Sequence, residues 1–143
     1  MKLVTILITL SKPAPEYVPG KCNIGSRGRA IRLTTGVVLI GISIILGILV
    51  LNPLNRWFSL ALVFPAYVGI LAGLEGSMSF CVLHATRGTY DLNEPQGFAS
   101  KKSKTLQKVV SEDWKRLDRR KALKMHLEAL TGAVLLAILL SLA

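Results

Sequence analysis

Two long apolar runs joined by a short polar turn form the most regular part of the hydrophobic pattern. Leu33–Asn52 has no charged residue over twenty positions, so as a helix it would be about 30 Å long, the thickness of a bilayer's hydrocarbon core. Trp57–Leu83 is uncharged except for Glu75, and it begins with an aromatic residue typical of the membrane surface. The pattern predicts two antiparallel membrane-spanning helices, over residues 33–52 and 57–83.

A third apolar run, at the C-terminal end, is shorter. Ala129–Ala143 is uncharged, but its fifteen residues reach only about 22 Å as a helix. The helix can cross the hydrocarbon core if it starts at Leu123 and if Lys124 extends its amine toward the headgroups. The sequence therefore predicts an all-α membrane protein with three transmembrane helices, a hairpin plus a short C-terminal span over 123–143.

The segments outside the spans divide into an N-terminal arm and a loop. Residues 1–20 form the arm, in which β-branched residues such as Val4 and Ile6 favour a strand that would pair with the sheet edge of another subunit. The two-span hairpin with its flanks covers 21–87, and a basic loop covers 88–122.

The charge distribution predicts the orientation of the helices. The chain has 18 Lys and Arg against 8 Asp and Glu, a net charge of +10. Six basic residues precede the first span and eleven lie in the loop His84–His126, whereas the hairpin turn holds only Arg56. Because basic residues stay on the cytoplasmic side, we expect a cytoplasmic N-terminus and loop, and a C-terminus outside a bacterial inner (plasma) membrane. Charge beside long apolar runs indicates anionic lipids or acidic protein surfaces, not nucleic acid.

Each predicted span carries small residues four positions apart. Membrane helices approach one another closely at such positions, although small residues are also common in membrane helices generally. We interpret these residues as helix-packing faces, used either within the chain or against another chain. They are Ser43 and Gly47 in the first span, Gly69, Gly73 and Ser77 in the second, and Ala129, Ala133, Ala137 and Ser141 in the third.

The segment Lys104–Lys124 is predicted to form a basic amphipathic helix on the cytoplasmic side. Leu106, Val110, Trp114 and Leu117 are spaced by four, four and three, which places them on one helical face. Such a helix would lie on the inner leaflet, with its tryptophan at headgroup depth. The residues expected to bind anionic lipid or an acidic partner are Lys108, Lys115, Arg116, Arg119, Arg120 and Lys121.

Cys22, Cys81 and His84 form a candidate thiol or metal site at the cytoplasmic ends of the first two spans. The antiparallel hairpin would bring Cys22 to the same side as the Cys-x-x-His pair. Two thiols and an imidazole suit a soft metal or a sulfane sulfur, whereas a structural zinc site uses four ligands. A buried cysteine is also commonly an inert small apolar residue, so both interpretations remain open.

Glu75 and His126 are the other candidates for chemistry. Glu75 is the only acid well inside an apolar run, and we expect it to pair with Arg29 or Arg32 at the start of the first span. His126, at the start of the third span, is a candidate ligand for a haem or a chlorophyll-type pigment, or a side chain that simply extends to the membrane surface. The sequence offers no set of acid, base and nucleophile. No cofactor is assigned from the sequence. A bound lipid and a chlorophyll-type pigment are the candidate bound molecules.

A family resemblance covers about half of the chain. Asn-x-Gly within Cys22–Gly25, Arg-x-x-Arg over Arg29–Arg32 and Gly-x-x-Leu over Gly36–Leu39 resemble the opening of small two-span bacterial inner-membrane domains of the YgaP type. Phe80–Val82 reads Phe-Cys-Val where that family typically has Phe-Cys-Pro. The resemblance, over Cys22–Arg87, implies a helical hairpin of a family of unknown function. Some of its members anchor a sulfurtransferase, which favours sulfur transfer slightly.

These features predict a non-catalytic accessory subunit of a larger bacterial membrane complex, either energy-transducing or photosynthetic. The packing faces, the arm and the basic loop indicate contacts with other membrane subunits and with anionic lipids, and we expect no enzymatic activity. Two alternatives remain. One is a cytoplasmic-face thiol, metal or sulfur carrier that uses Cys22, Cys81 and His84, and the other is a pigment- or haem-binding subunit that uses His126 or His84.

Overall fold

Three long helices make up most of the described part of the chain, and a small cap, formed by residues 16–25, 78–93 and 105–111 with the first turns of the last helix, covers one end. The computed structural model describes residues 16–51, 60–93 and 105–142, so the predicted strand of the arm lies outside the described residues. In chain order the elements are helix α1 (Ser26–Leu46), continued by a π-helical turn (Gly47–Leu51); helix α2 (Val63–Ser77); the short helix α3 (Val82–Arg87); strands β1 (Thr89–Tyr90) and β2 (Gln107–Lys108); and helix α4 (Glu112–Leu142).

Within the described residues, three segments are long and apolar enough to cross a membrane: Ser26–Leu49, Leu60–Ser77 and Glu112–Leu142. The mostly helical fold and the three helices that could each span a membrane are thereby confirmed, and both are compatible with a multi-pass membrane protein. The first helix starts earlier than the predicted 33–52, because the exposed side chains of Arg27 and Arg29 reach water, and Arg32 is paired within the protein, without interrupting the backbone hydrogen bonds of the helix.

The second helix ends six residues before the predicted boundary of 57–83. α2 stops at Ser77, and Ser79 then adopts a left-handed backbone conformation with φ of 54°. The apolar run continues beyond this turn because Phe80 and Val82 are buried in the cap. Residues buried in a protein core and residues in a membrane span are both apolar, so the sequence pattern did not distinguish the residues of the cap from those of the span.

Helix α4 joins two predicted elements and corrects the bounds of one of them. The basic segment and the third span, which was predicted over 123–143, form one helix of 31 residues, about 46 Å long. The helix predicted over Lys104–Lys124 begins only at Glu112, because the preceding residues form strand β2, which pairs with β1. Leu106 and Val110 therefore precede the helix, and the predicted four-residue apolar face does not form.

Glycines bring the backbones of α1 and α2 into direct contact. A Cβ atom on Gly36 would lie 2.6 Å from the amide nitrogen of Gly73 and 2.8 Å from the carbonyl oxygen of Gly69. Farther along, a Cβ atom on Gly76 would lie 2.6 Å from the amide nitrogen of Leu33. Close approach of this kind supplies the dispersion energy that holds membrane helices together.

Most of the other predicted packing residues of the hairpin also lie between helices. Ser43 is fully buried, and Gly47 faces the side chains of Leu62 and Leu140, so all three long helices meet at this level. Ser77 is different, because it is exposed at the end of α2 and donates a hydrogen bond to a carbonyl oxygen of its own last turn.

One face of α4 is buried along almost its whole length. Ser141, in the last turn, is half-buried. The spacing of the buried residues by three and four shows that a single helical face packs against the bundle and the cap alike. The buried residues are Asp118, Ala122, Met125, Ala129, Ala133, Ala137 and Leu140.

The cap lies where α1 and α4 begin and where α2 ends. Its apolar core comprises Phe80, Val82, Ala85, Ala122 and Met125, so α4 contributes to the core of the cap as well as to the bundle. The cap therefore sits on the end of the bundle that carries most of the basic residues.

Candidate functional site

A buried ion pair joins α1 to α2 beneath the cap. The Nε atom of Arg32 lies 3.1 Å from Oε2 of Glu75, and both side chains are less than a tenth exposed. The other carboxylate oxygen, Oε1, accepts a hydrogen bond from the backbone N–H of Val82 at 2.7 Å. The expected pairing of Glu75 is confirmed with Arg32, and the same carboxylate also fixes the start of α3.

The side chain of Asn23 joins the segment before α1 to the segment after α2. Its amide nitrogen donates to the carbonyl oxygen of Cys81 at 2.9 Å, and its amide oxygen accepts from the N–H of Cys81 at 2.6 Å. The backbone N–H of Asn23 donates to the carbonyl oxygen of Ser79 at 3.1 Å. A buried amide with paired donor and acceptor is strongly held, because leaving either group unpaired would cost about 1–3 kcal/mol.

The predicted thiol or metal residues do not form a ligand cluster. The Cys22 thiol donates to the carbonyl oxygen of Ile24 at 3.5 Å, while Nδ1 of His84 lies 3.1 Å from the hydroxyl of Thr89. Cys81 is buried, and its burial raises the pKa of the thiol, which disfavours the reactive thiolate. Within 16–51, 60–93 and 105–142, no group of three His, Cys, Asp or Glu residues is placed to hold a metal ion.

Asp118 attaches the N-terminal segment to α4. It is fully buried, and its two carboxylate oxygens accept hydrogen bonds from the hydroxyl of Tyr17 at 2.9 Å and from the N–H of Gly20 at 2.7 Å. Burial and the neighbouring carboxylate raise the pKa of Tyr17. Tyr17 therefore remains a neutral hydrogen-bond donor throughout the physiological range.

Aromatic side chains fill the outer side of the cap. The rings of Tyr17 and Tyr90 stack with centroids 4.3 Å apart, and Trp114 is tilted against Tyr17 at 6.0 Å. The hydroxyl of Tyr90 donates to the side chain of Gln107, which ties β1 to β2. Trp114, expected at headgroup depth, thus packs against the N-terminal segment and is about half exposed.

The predicted basic residues are spread over the outside of the cap. Lys115 pairs with Glu112 at 2.6 Å, and the amine of Lys121 lies 5.2 Å from the ring centre of Phe80. Four of the predicted residues are exposed: Lys108 in β2, and Arg116, Arg119 and Arg120 in the second and third turns of α4.

The side chain of His126, on α4, contacts the side chain of Tyr67, on α2. Its Nδ1 atom is 2.5 Å from the hydroxyl oxygen of Tyr67, and the two rings are nearly parallel. An apolar groove of about 720 Å³ runs along this pair on the outside of the bundle. The histidine predicted from its position alone therefore has a specific partner that the sequence did not indicate.

Comparison with known protein families, with curated proteins and with solved structures finds no match to this chain. The resemblance to YgaP-type domains therefore stays a prediction.

Proposed function

We propose that this chain is a non-catalytic accessory subunit of a larger bacterial membrane complex, energy-transducing or photosynthetic, with the cap in the cytoplasm. The observation that carries the proposal is the continuity of α4. One helix holds the exposed arginines outside the membrane and the packed alanines inside it, and its buried face runs from Asp118 to Leu140. The basic docking surface, formed by Arg116, Arg119 and Arg120, is therefore part of the same rigid helix as the membrane anchor.

The buried polar groups support this proposal, because their role in the structure is to hold the cap on the bundle. Glu75, Asn23 and Asp118 each accept hydrogen bonds from a second segment of the chain. Among the described residues, every buried side-chain nitrogen and oxygen atom has a hydrogen-bond partner. Side chains engaged in this way supply rigidity, which lowers the entropic cost of binding a partner.

The outer face of α1 offers a surface for a partner helix. Val37, Ile45 and Leu49 are each about half exposed or more. Gly41 lies among them along the same helix, and no atom of the described residues is within 4 Å of the position where its Cβ would be. A glycine open to the membrane allows the backbone of a second helix to approach closely.

The proposal predicts that the arginine cluster of α4 strengthens association with larger subunits. Replacing Arg116, Arg119 and Arg120 together by glutamine should weaken the association by about tenfold at low salt and make it less dependent on salt, because it removes exposed ion pairs, which contribute modestly and are screened by salt. The measurement is a mild-detergent purification of the tagged chain from its native membrane at increasing salt, with mass spectrometry and an absorbance scan of the eluate.

The matched control removes the same charge elsewhere on the same side. Arg27, Arg29 and Arg87 are exposed and lie outside the α4 cluster, so their replacement by glutamine should leave the retained subunits unchanged. A wild-type chain that elutes alone or as a homo-oligomer would refute the accessory role. Equal salt sensitivity in the two triple variants would refute the assignment of the docking surface to α4.

A further inference from the structure

The groove between α2 and α4 is lined mostly by apolar side chains, and its polar groups lie together at one position. It holds about 720 Å³, and among the described residues that line it the polar side-chain groups are the hydroxyl of Tyr67 and the ring of His126. The remaining lining is apolar and comes from both helices: Leu60, Ala61, Val63 and Phe64 on one side, and Leu123, Leu127 and Leu130 on the other.

The groove continues past His126 toward the cap. A second cavity of about 300 Å³ adjoins it, lined by His126 together with residues of α2 and α3, including Val68 and Leu83. Along α2 the two cavities extend from Leu60 to Glu75, about 22 Å at the rise of an α-helix. Half of the hydrocarbon core of a bilayer is about 15 Å thick, so the groove is long enough for one lipid acyl chain.

The polar position in the groove can supply a hydrogen-bond donor. Nδ1 of His126 lies 2.5 Å from the hydroxyl oxygen of Tyr67, and in the tautomer in which Nδ1 accepts from that hydroxyl the ring N–H is on Nε2. Within the described residues, Tyr67 is the hydrogen-bond partner of this imidazole. The Nε2–H group is thus suited to a carbonyl oxygen on an otherwise apolar molecule.

The face of α4 that borders the groove changes from basic to apolar along the helix. Arg116, Arg120, Leu123, Leu127 and Leu130 are spaced by four, three, four and three, so they share one face, and all five are exposed. The nearby carboxylate of Glu128 is paired with Lys124 at 3.6 Å, which offsets its charge. Guanidinium groups bind phosphate oxygens well, so the basic end of this face suits an anionic headgroup.

We propose that the groove binds one anionic glycerophospholipid. Its phosphate lies between Arg116 and Arg120, one ester carbonyl accepts a hydrogen bond from Nε2 of His126, and an acyl chain follows the leucines of α4. The inference rests on the proposed function only in placing the basic end of α4 at a membrane surface. It requires no partner subunit, so it is tested on the isolated chain.

The test is lipid retention by the purified chain in neutral detergent, measured by native mass spectrometry after incubation with equal amounts of phosphatidylglycerol and phosphatidylcholine. We expect the wild-type chain to retain phosphatidylglycerol with about a tenfold preference, since each basic residue at a lipid surface adds a modest attraction. The double variant Arg116→Gln, Arg120→Gln should lose that preference. The control Arg27→Gln, Arg29→Gln removes the same charge from α1 and should keep it.

A second variant separates the histidine from the charges. His126→Phe should lower the retention of both lipids by several-fold, the effect of one lost hydrogen bond, and should leave the preference for phosphatidylglycerol intact. Equal retention of the two lipids by the wild-type chain would overturn the proposal. So would a visible-absorbing pigment or a quinone that copurifies with the wild-type chain and is lost in His126→Phe. Neither result would affect the accessory role, which is tested by the subunits that copurify.

Discussion

Replacing Arg32 by methionine should lower the free energy of unfolding by about 3–5 kcal/mol, because it leaves the carboxylate of Glu75 buried without its counter-ion. Both side chains of the pair are less than a tenth exposed, so water cannot replace the lost partner. Methionine keeps most of the volume and the flexibility of the arginine stem. The measurement is the unfolding of the detergent-solubilised protein by a denaturing detergent, followed by circular dichroism.

Two further variants isolate the charge effect. In the double variant Arg32→Met, Glu75→Gln the carboxylate is gone while an oxygen remains for the N–H of Val82, so we expect most of the lost stability to return. Lys124→Gln removes one partner of the exposed pair with Glu128 and should cost less than about 1 kcal/mol. A loss in Arg32→Met no larger than that in Lys124→Gln would show that the buried pair does not hold α1 to α2.

Replacing Gly36 by alanine should destabilise the hairpin by about 2–3 kcal/mol, near the upper end of what overpacking costs. The added Cβ would meet the backbone of Gly69 and Gly73 at 2.8 Å and 2.6 Å, and backbone atoms can move away only if the helices separate. This loss exceeds the gain of up to about 1 kcal/mol that alanine brings over glycine within a helix. The same denaturant titration measures it.

Gly41 provides a matched control within the same helix. In the part of the chain that the structure describes, no atom lies within 4 Å of its Cβ position, so Gly41→Ala should leave the stability unchanged or raise it slightly through helix propensity. If the two alanine variants were equally stable, the close contact between α1 and α2 would not be a source of stability.

The sequence predicted those features of the fold that depend on local composition. A long apolar run indicates the presence of a candidate span, although not where its helix ends, and a lone acid such as Glu75 within a run demands a nearby cation, for which Arg32 was one of two candidates. Gly69 and Gly73 were recognised as packing residues from their spacing alone, but Gly36, which approaches them, was quoted only within a family motif. Contact between two helices depends on their relative rotation, and no single span encodes that rotation.

The sequence did not predict the cap, because the contacts that build it join distant parts of the chain. Asn23 is 58 residues from Cys81, and Asp118 is 98 residues from Gly20. No periodicity relates such positions. Strand β2 was missed for a similar reason, since its two residues lie in a basic segment whose spacing also fits a helix and only pairing with β1 decides the conformation.

Cysteine labelling in intact cells tests most directly whether the chain crosses the membrane with its basic cap in the cytoplasm. Arg56→Cys, in the turn that the sequence predicts between the first two spans, and Arg119→Cys, exposed on α4, change the same residue type, and the predicted topology places the two on opposite sides of the membrane. With a membrane-impermeant maleimide, we expect Arg56→Cys to be labelled in intact cells, and Arg119→Cys and the wild-type chain only after permeabilisation. Labelling of Arg119→Cys but not of Arg56→Cys in intact cells would show the opposite orientation, with the basic cap outside. Labelling of both would contradict the three-span arrangement.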